Sequence, residues 1–148
     1  MSVSYNQART EMFSIVKTRL LAAAVPSIVG SIDFREQGKP NPNPISTTGF
    51  TARLVLKTVD GRQSAFVADG KRQFTTDGLI FVSIFSPLKV LDYIIGGDLA
   101  QAAKTVLEKS ETSSNVWFRN VRINELDEET ANYGWNVVAE FTYDTINA

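Results

Sequence analysis

Histidine and cysteine are both absent from the 148 residues of this chain. Their absence removes the commonest general base, the thiol nucleophile and the side chains that most often bind zinc. We therefore expect no catalytic residue, no metal site and no cofactor, and the composition favours a structural building block or a binding module over an enzyme. The lack of cysteine also fits a protein of a reducing cytoplasm.

Long apolar runs and a strong excess of one charge are missing as well. No run approaches the ~20 apolar residues that a membrane-spanning helix needs, and the first six residues lack the basic-then-apolar order of a secretory signal. The net charge of −1 argues against a dedicated nucleic-acid binder, which usually carries a basic excess. The length indicates one domain over residues 1–148.

The charges are distributed unevenly along the chain. Residues 33–72 hold seven basic and four acidic side chains, whereas residues 73–148 hold five basic and eleven acidic ones. The simpler interpretation is a set of solvated faces without a partner. The alternative is that a basic surface of one copy contacts an acidic surface of the next, because two unlike patches that meet head to tail can close a ring.

The N-terminal part predicts a helix, a strand and an irregular arm. Residues 5–24 place apolar side chains at helical spacing, and Pro26 ends this helix. Residues 28–35 alternate between apolar and polar side chains, which is typical of a strand. Residues 38–49 contain three alternating prolines and form an extended arm, because proline lacks the amide donor that regular structure requires.

Turn signals divide the middle of the chain. Residues 50–57 form a strand, and Asp60-Gly61 predicts a hairpin with a separate return strand. The next strand, residues 72–85, is apolar on both faces. We expect this strand to be central and covered on both sides, with Phe81 in the core.

The C-terminal part predicts a helix and two closing strands. Residues 88–109 predict a second helix that the glycine pair at 96–97 interrupts, with a short helical or looped piece before the pair and the main helix after it. A bulge near 119–120 would keep the apolar side chains of the next strand on one face. The last strand, 135–143, alternates cleanly between apolar and polar residues, and we expect its Phe141 in the core.

These elements together predict an α+β fold. A mainly antiparallel sheet with two helices packed on one face would bury every apolar stripe. The extended proline-rich arm lies outside this core.

Two segments have side chains that are candidates for binding a ligand or a partner. The acidic residues of the loop at 125–132 are oxygen ligands of the type that calcium prefers, but the loop lacks the glycine of a calcium turn, which favours a solvated loop. The aromatic and basic run Trp117, Phe118 and Arg119 has three interpretations: base stacking, an interface anchor or core packing. The acidic surroundings oppose base stacking.

The order of motifs along the chain is similar to that of a known family. A helix over 5–24 leads into a strand, and a hairpin leads into residues 72–87, a strand that ends in an aromatic residue and a proline. A helix rich in alanine and leucine follows at 98–109, and a tryptophan-led strand at 134–144 closes the chain. In this arrangement the chain resembles the tail terminator, or tail completion, proteins of long-tailed bacteriophages.

The resemblance implies a structural virion protein without catalysis. Members of the family assemble as a ring, typically of six copies, on the last ring of a finished tail tube. The ring stops tube polymerisation and presents a surface to the connector of the head, and DNA passes through its lumen without sequence-specific binding. The implied partners are further copies of the chain, the tail tube protein and the head-completion protein. The implied location is the head–tail junction of the virion, after assembly in the host cytoplasm, with no membrane contact.

Other functions stay open beside this one. The chain could be another head–tail joining adaptor of the neck, or a tail tube-type subunit that polymerises without stopping. A small ligand-binding or enzymatic α+β domain is the alternative from a different class.

Candidates for an assembly interface come from the arm, the basic segment and the Trp117 strand. They are Lys39, Asn41, Asn43, Ile45, Arg62, Lys71, Arg72, Trp117 and Arg119. We expect the arm to serve assembly rather than folding, because a segment with one sizeable apolar side chain buries little in a lone subunit.

The acidic loop generates a first test. Excess calcium or magnesium should leave the melting temperature equal to that measured with a chelator, because we expect the loop to be solvated. A cation present at 100 times its dissociation constant would stabilise the fold by ~2.7 kcal/mol. A clear rise in the melting temperature with either cation would overturn the solvated-loop interpretation.

Overall fold

The structure, a computed structural model, contains two helices and five strands. It describes residues 4–23, 32–39, 41, 43–44, 49–66, 72–88, 90–109, 116–126 and 132–147, with the backbone alone at 23, 60, 62–66, 72, 90–91 and 145–147. The elements are α1 (Tyr5–Ala23), β1 (Ile32–Glu36), β2 (Phe50–Phe66), β3 (Arg72–Pro87), α2 (Val90–Lys109), β4 (Trp117–Leu126) and β5 (Asn132–Asn147).

The five strands form one sheet in the order β1-β2-β3-β5-β4. β1 runs parallel to β2, and all other neighbours are antiparallel. The predicted α+β class and the mainly antiparallel sheet are therefore confirmed. The predicted first helix is confirmed too, and the first strand begins at Ile32 among the described residues.

One face of the sheet packs against both helices. The strands contribute every second side chain to this face, as at Leu54 of β2, Val82 of β3 and Val137 of β5, which lie side by side across the sheet. Side chains from α1 and α2, including Leu20 and Leu107, complete the same buried cluster. Each such large apolar side chain, fully removed from water, contributes ~1.5–3 kcal/mol.

The two Phe predictions have different outcomes. Phe141 is fully buried in the cluster between the sheet and the helices, as expected. Phe81 lies on the opposite face of the sheet, which we call the outer face, and its side chain is only half-buried. The expectation that β3 is covered on both sides is wrong for the described residues, because both helices pack on one face.

The predicted hairpin at Asp60-Gly61 is wrong. β2 continues through both residues to Phe66 and pairs with β3 over its whole length. A register shift between Thr58 and Asp60 leaves Val59 as an extra residue, 63% exposed. Turn-favouring residues also suit a β-bulge, in which one extra residue has no partner on the neighbouring strand.

The predicted bulge in the β4 strand is confirmed. The register shifts between Arg119 and Arg122, and Asn120 has a positive φ of 51°. A bulge inserts one residue, so side chains of opposite parity on its two sides reach the same face. Phe118 and Ile123 both pack against the core as a result.

The predicted interruption of the second helix is also wrong. α2 is continuous through Gly96 and Gly97. A Cβ on Gly96 would lie 2.6 Å from Cη2 of Trp135 and 3.1 Å from Cβ of Ser86, whereas nothing lies within 4 Å of a Cβ on Gly97. Gly96 thus allows the helix to approach β5 closely, and this packing outweighs the low helix propensity of glycine.

The parallel pairing of β1 with β2 gives the arm a topological role. Ile32 lies beside Phe50 and Glu36 beside Leu54, so the chain must return along β1 between Glu36 and Phe50. A connection between parallel strands needs about a dozen residues, which residues 37–49 supply. The connection is therefore long enough for the parallel pairing, and the role of the arm in assembly stays a prediction.

The two adjacent glycines of α2 allow a matched test. Gly97→Ala should raise the free energy of unfolding by ~0.5–1 kcal/mol, because alanine favours the helix and has open space there. Gly96→Ala should lower it by ~1–3 kcal/mol, because the methyl group would overlap the Trp135 ring. Urea unfolding of both variants measures the difference, and equal stabilisation by the two would contradict the close approach of α2 to β5.

Candidate assembly interface

The structure separates the predicted interface residues instead of gathering them. Lys39, Asn41 and Asn43 follow β1 at one edge of the sheet, whereas Trp117 and Arg119 belong to β4 at the other. The backbones of Arg62 and Arg72 lie toward the closed end of the β2–β3 hairpin, and their side chains are outside the described part. Ile45 and Lys71 lie outside the described residues altogether.

A compact ion-pair cluster occupies the β1 edge. The Glu36 side chain, 9% exposed, accepts a 2.8 Å bond from Lys17 of α1 and lies 2.6 Å from the Lys39 ammonium. Hydrogen bonds from Lys17 and then Lys39 hold the pKa of Glu36 below its ordinary value of 4.5. With Arg9 the cluster lines a cavity of about 350 Å³. It fixes β1 and the start of the arm against α1.

Arg35 holds the arm on the outer side of the same edge. Its two terminal nitrogens donate to the backbone carbonyls of Asn43 at 2.6 Å and Pro44 at 3.0 Å, and its Nε donates to Asp33 at 3.0 Å. The Asn41 side chain accepts a 3.0 Å bond from the Asn43 amide. These bonds place the described arm residues beside β1, where Asn41 and Asn43 remain exposed.

A polar network surrounds the bulge at the β4 edge. Arg119 donates to the Thr142 hydroxyl and lies 3.6 Å from Asp77 and 3.7 Å from Glu140. Thr142 donates to Asp77 at 2.6 Å, and Asn120 donates to Glu140 at 2.6 Å. The guanidinium is thus held by acceptors of its own sheet.

Trp117 lies at the start of β4 beside Thr142 and is 40% exposed. This position excludes the core-packing interpretation, because a core tryptophan would be almost fully covered. Its flat side chain is available at the sheet edge, which is the arrangement expected of an interface anchor.

Sequence reasoning missed two further surfaces. The first, which we call the acidic corner, lies where α2 begins on the helix side of the sheet. It consists of Leu88, Asp92, Tyr93, Ile94 and Glu125. Tyr93 donates a 2.5 Å hydrogen bond to Glu125, and this bond is the main reason why the pKa of the Tyr93 hydroxyl is raised.

The second surface, which we call the basic strip, crosses the outer face over β2 and β3. It consists of Arg53, Val55, Lys57, Phe81 and Phe85. Val55 and Phe81 are neighbours in the register, and the Arg53 guanidinium lies 5.4 Å from the centre of the Phe85 ring. The sequence did not predict the basic strip, because both faces of β3 are apolar and nothing in the pattern indicates which face the helices cover.

A further cavity lined by described residues offers little chemistry. A groove of about 560 Å³ lies between α1 and α2, over Ala22, Ala102 and Val106, with Arg19, Asp98 and Lys109 among its walls. Across the described residues, no three acidic side chains come together as a cation site. The predicted acidic loop begins with Glu125 and Leu126 of β4, and its residues 127–131 lie outside the described part. Neither helix of the described chain has the length and apolar character of a membrane span.

Comparisons with known proteins leave the chain without an assigned family. No family model matches it, and no curated protein matches it. Among solved structures it is similar to a chain of the "Virion of native gene transfer agent (GTA) particle". The identity is 13%, the match covers 97% of this chain and 100% of that chain, and the TM-score is 0.46. A similarity this distant carries no conclusion about function.

The ion-pair cluster at β1 generates a pH-dependent prediction. Glu36→Gln should lower the free energy of unfolding at pH 7 by ~1–2 kcal/mol, since two charge-assisted bonds are lost. Because the folded pKa of Glu36 is depressed, this difference should be complete above pH ~5 and shrink as the pH falls below the ordinary value of 4.5. Urea unfolding between pH 3 and 7 measures it.

Glu108→Gln is the matched control for this test. Glu108 pairs with Lys104 on the exposed surface of α2, where an ion pair contributes less than ~0.5 kcal/mol. A Glu36 variant that behaves like the Glu108 variant at every pH would show that the cluster does not stabilise β1.

Proposed function

We propose that the chain is a structural virion protein, a phage tail terminator that forms a ring on the end of the tail tube. In this role it stops tube polymerisation and provides the surface that joins the tail to the head. Its partners are other copies of itself, the tail tube protein and the head connector, and DNA passes through the lumen. The resemblance of the whole chain to that family supports the proposal, as does the geometry of the sheet edges.

The observation that carries the proposal is the difference between the two sheet edges. The β1 edge has the Lys17–Glu36–Lys39 cluster and the arm, whereas the β4 edge has the exposed Trp117. Copies that join through unlike surfaces form a head-to-tail contact, which lacks the two-fold symmetry of a contact between identical surfaces. Such contacts close into a ring when the rotation from one copy to the next divides a full turn evenly.

Both edges are also poorly suited to continuous strand addition. β1 has five residues in the described part of the chain, and β4 contains a bulge together with Arg119, Arg122 and Glu125. Short strands, bulges and charged side chains at an edge discourage pairing with the edge of another molecule. This favours a finite ring held by side chains over the unlimited polymer of a tube-type subunit.

The electrostatics of Glu36 favour a structural role over a catalytic one. Its pKa is held below the ordinary value, and this shift stabilises its charged, ion-paired form. A general base that works near neutral pH needs the opposite, a pKa raised toward the working pH.

Ring formation can be tested with the purified chain, alone and mixed with tail tubes of a phage that carries it. We expect closed rings of one size and tubes that no longer elongate when tube protein is added. Native mass measurement and electron microscopy give the two readouts. Long tubes from the chain alone would identify a tube subunit, and rings that leave elongation unchanged would identify a joining adaptor. A monomer that never binds tubes would contradict the proposal.

A further inference from the structure

The acidic corner has an exposed apolar centre. Leu88, Tyr93 and Ile94 are 38%, 37% and 55% exposed, and they are three of the seven exposed large apolar side chains of the described residues. Tyr93 is held in place, because its ring packs at 4.8 Å from the Tyr133 ring and its hydroxyl bonds to Glu125. A pre-oriented tyrosine loses little conformational entropy when a partner covers it.

The basic strip has the complementary composition. Val55, Phe81 and Phe85 are half-buried on a face that neither helix covers, and Arg53 and Lys57 are exposed beside them. Leu126, which is 40% exposed, extends the strip past Gly134, since a Cβ on Gly134 would lie 3.1 Å from Leu126 and 3.5 Å from Phe85. Both surfaces, as defined by these residues, therefore combine apolar side chains with charged side chains of one sign.

We infer that the acidic corner of one copy docks on the basic strip of the next copy. Asp92 and Glu125 then face Arg53 and Lys57, and the two apolar centres cover each other. The opposite charges of the two surfaces guide the encounter and set its orientation, and the apolar centres contribute most of the affinity. The occupant of each surface is thus a second copy of this chain.

The positions of the two surfaces require a head-to-tail contact. The corner lies on the helix side of the sheet, where Tyr93 contacts Trp135, and the strip lies on the outer face. They share no residue, and each copy has one of each. All copies have both surfaces covered only when the chain of contacts closes on itself, which is the property of a ring. The inference therefore rests on the proposed ring and adds, beside the two sheet edges, a second contact between neighbouring copies.

Charge reversal across the contact tests the inference. Glu125→Lys and Lys57→Glu, made singly, place like charges at every contact and should raise the concentration for half-maximal ring assembly by about tenfold. The combination of both changes in one chain should restore assembly to near the wild-type concentration, although the Tyr93–Glu125 bond stays lost. Sedimentation velocity over a concentration series, with circular dichroism to confirm folding, gives the readout.

A second pair of substitutions supplies a matched control. Glu108→Lys and Lys104→Glu change the net charge by the same amounts on the exposed surface of α2, outside both surfaces. They should leave assembly unchanged, singly and combined. The effect of the test pair should also weaken in high salt, because ions screen exposed charges beyond the first ~3–8 Å.

The outcomes separate this inference from the proposed function. If the wild-type chain forms rings and the single reversals do not weaken them, the inference is overturned and the ring stands. Weakening in the single variants without recovery in the combined variant also overturns it, because the two residues then do not face each other. If the wild-type chain forms no ring either alone or on tail tubes, both proposals fail.

Discussion

The packing of Phe141 against Gly78 is the contact on which the rest of the sheet depends. A side chain at Gly78 would lie 2.7 Å from the Phe141 ring and 2.5 Å from the Lys57 carbonyl, so only glycine allows β2, β3 and β5 to approach at this point. β3 and β5 pair without a register shift from Arg72 to Pro87. A slip of one residue would turn the apolar side chains of β5 away from the helices, so this local fit is coupled to the whole core.

The face of the sheet that the helices cover also decides which apolar side chains remain exposed. Burial of Leu54, Val82 and Val137 beneath the helices leaves Val55, Phe81 and Phe85 on the outer face, together with Arg53 and Lys57. The close approach of α2 at Gly96 in turn brings Tyr93 beside Trp135 and next to Glu125. The two surfaces that we assign to assembly are therefore consequences of how the core packs. A chain that buries one face of an apolar strand keeps the other face available for a partner.

Sequence patterns predicted the features that depend on local periodicity. The α1 helix, the bulge near Asn120 and the buried Phe141 follow from the spacing of apolar residues, and the structure confirms them. The predictions of a hairpin at Asp60-Gly61 and of a break at Gly96-Gly97 are wrong for one common reason. Glycine permits a turn but does not require it, and here a long β2–β3 pairing and the Trp135 ring favour the continuous element. Trp117 is the large apolar side chain among the predicted interface residues that the structure describes, and it lies exposed at a sheet edge.

The sequence by itself determined the α+β class, the lack of histidine and cysteine chemistry and the alternation that gives each strand two distinct faces. These properties reside in residue types and in spacing over a few positions, which a linear chain already contains. Only the tertiary structure decided which face of β3 the helices cover, that β1 pairs parallel to β2, and that Tyr93 meets Glu125 across 32 residues. The physical reason is that burial and pairing free energies depend on partners far apart in the chain, and no local pattern specifies which partner a given face will meet.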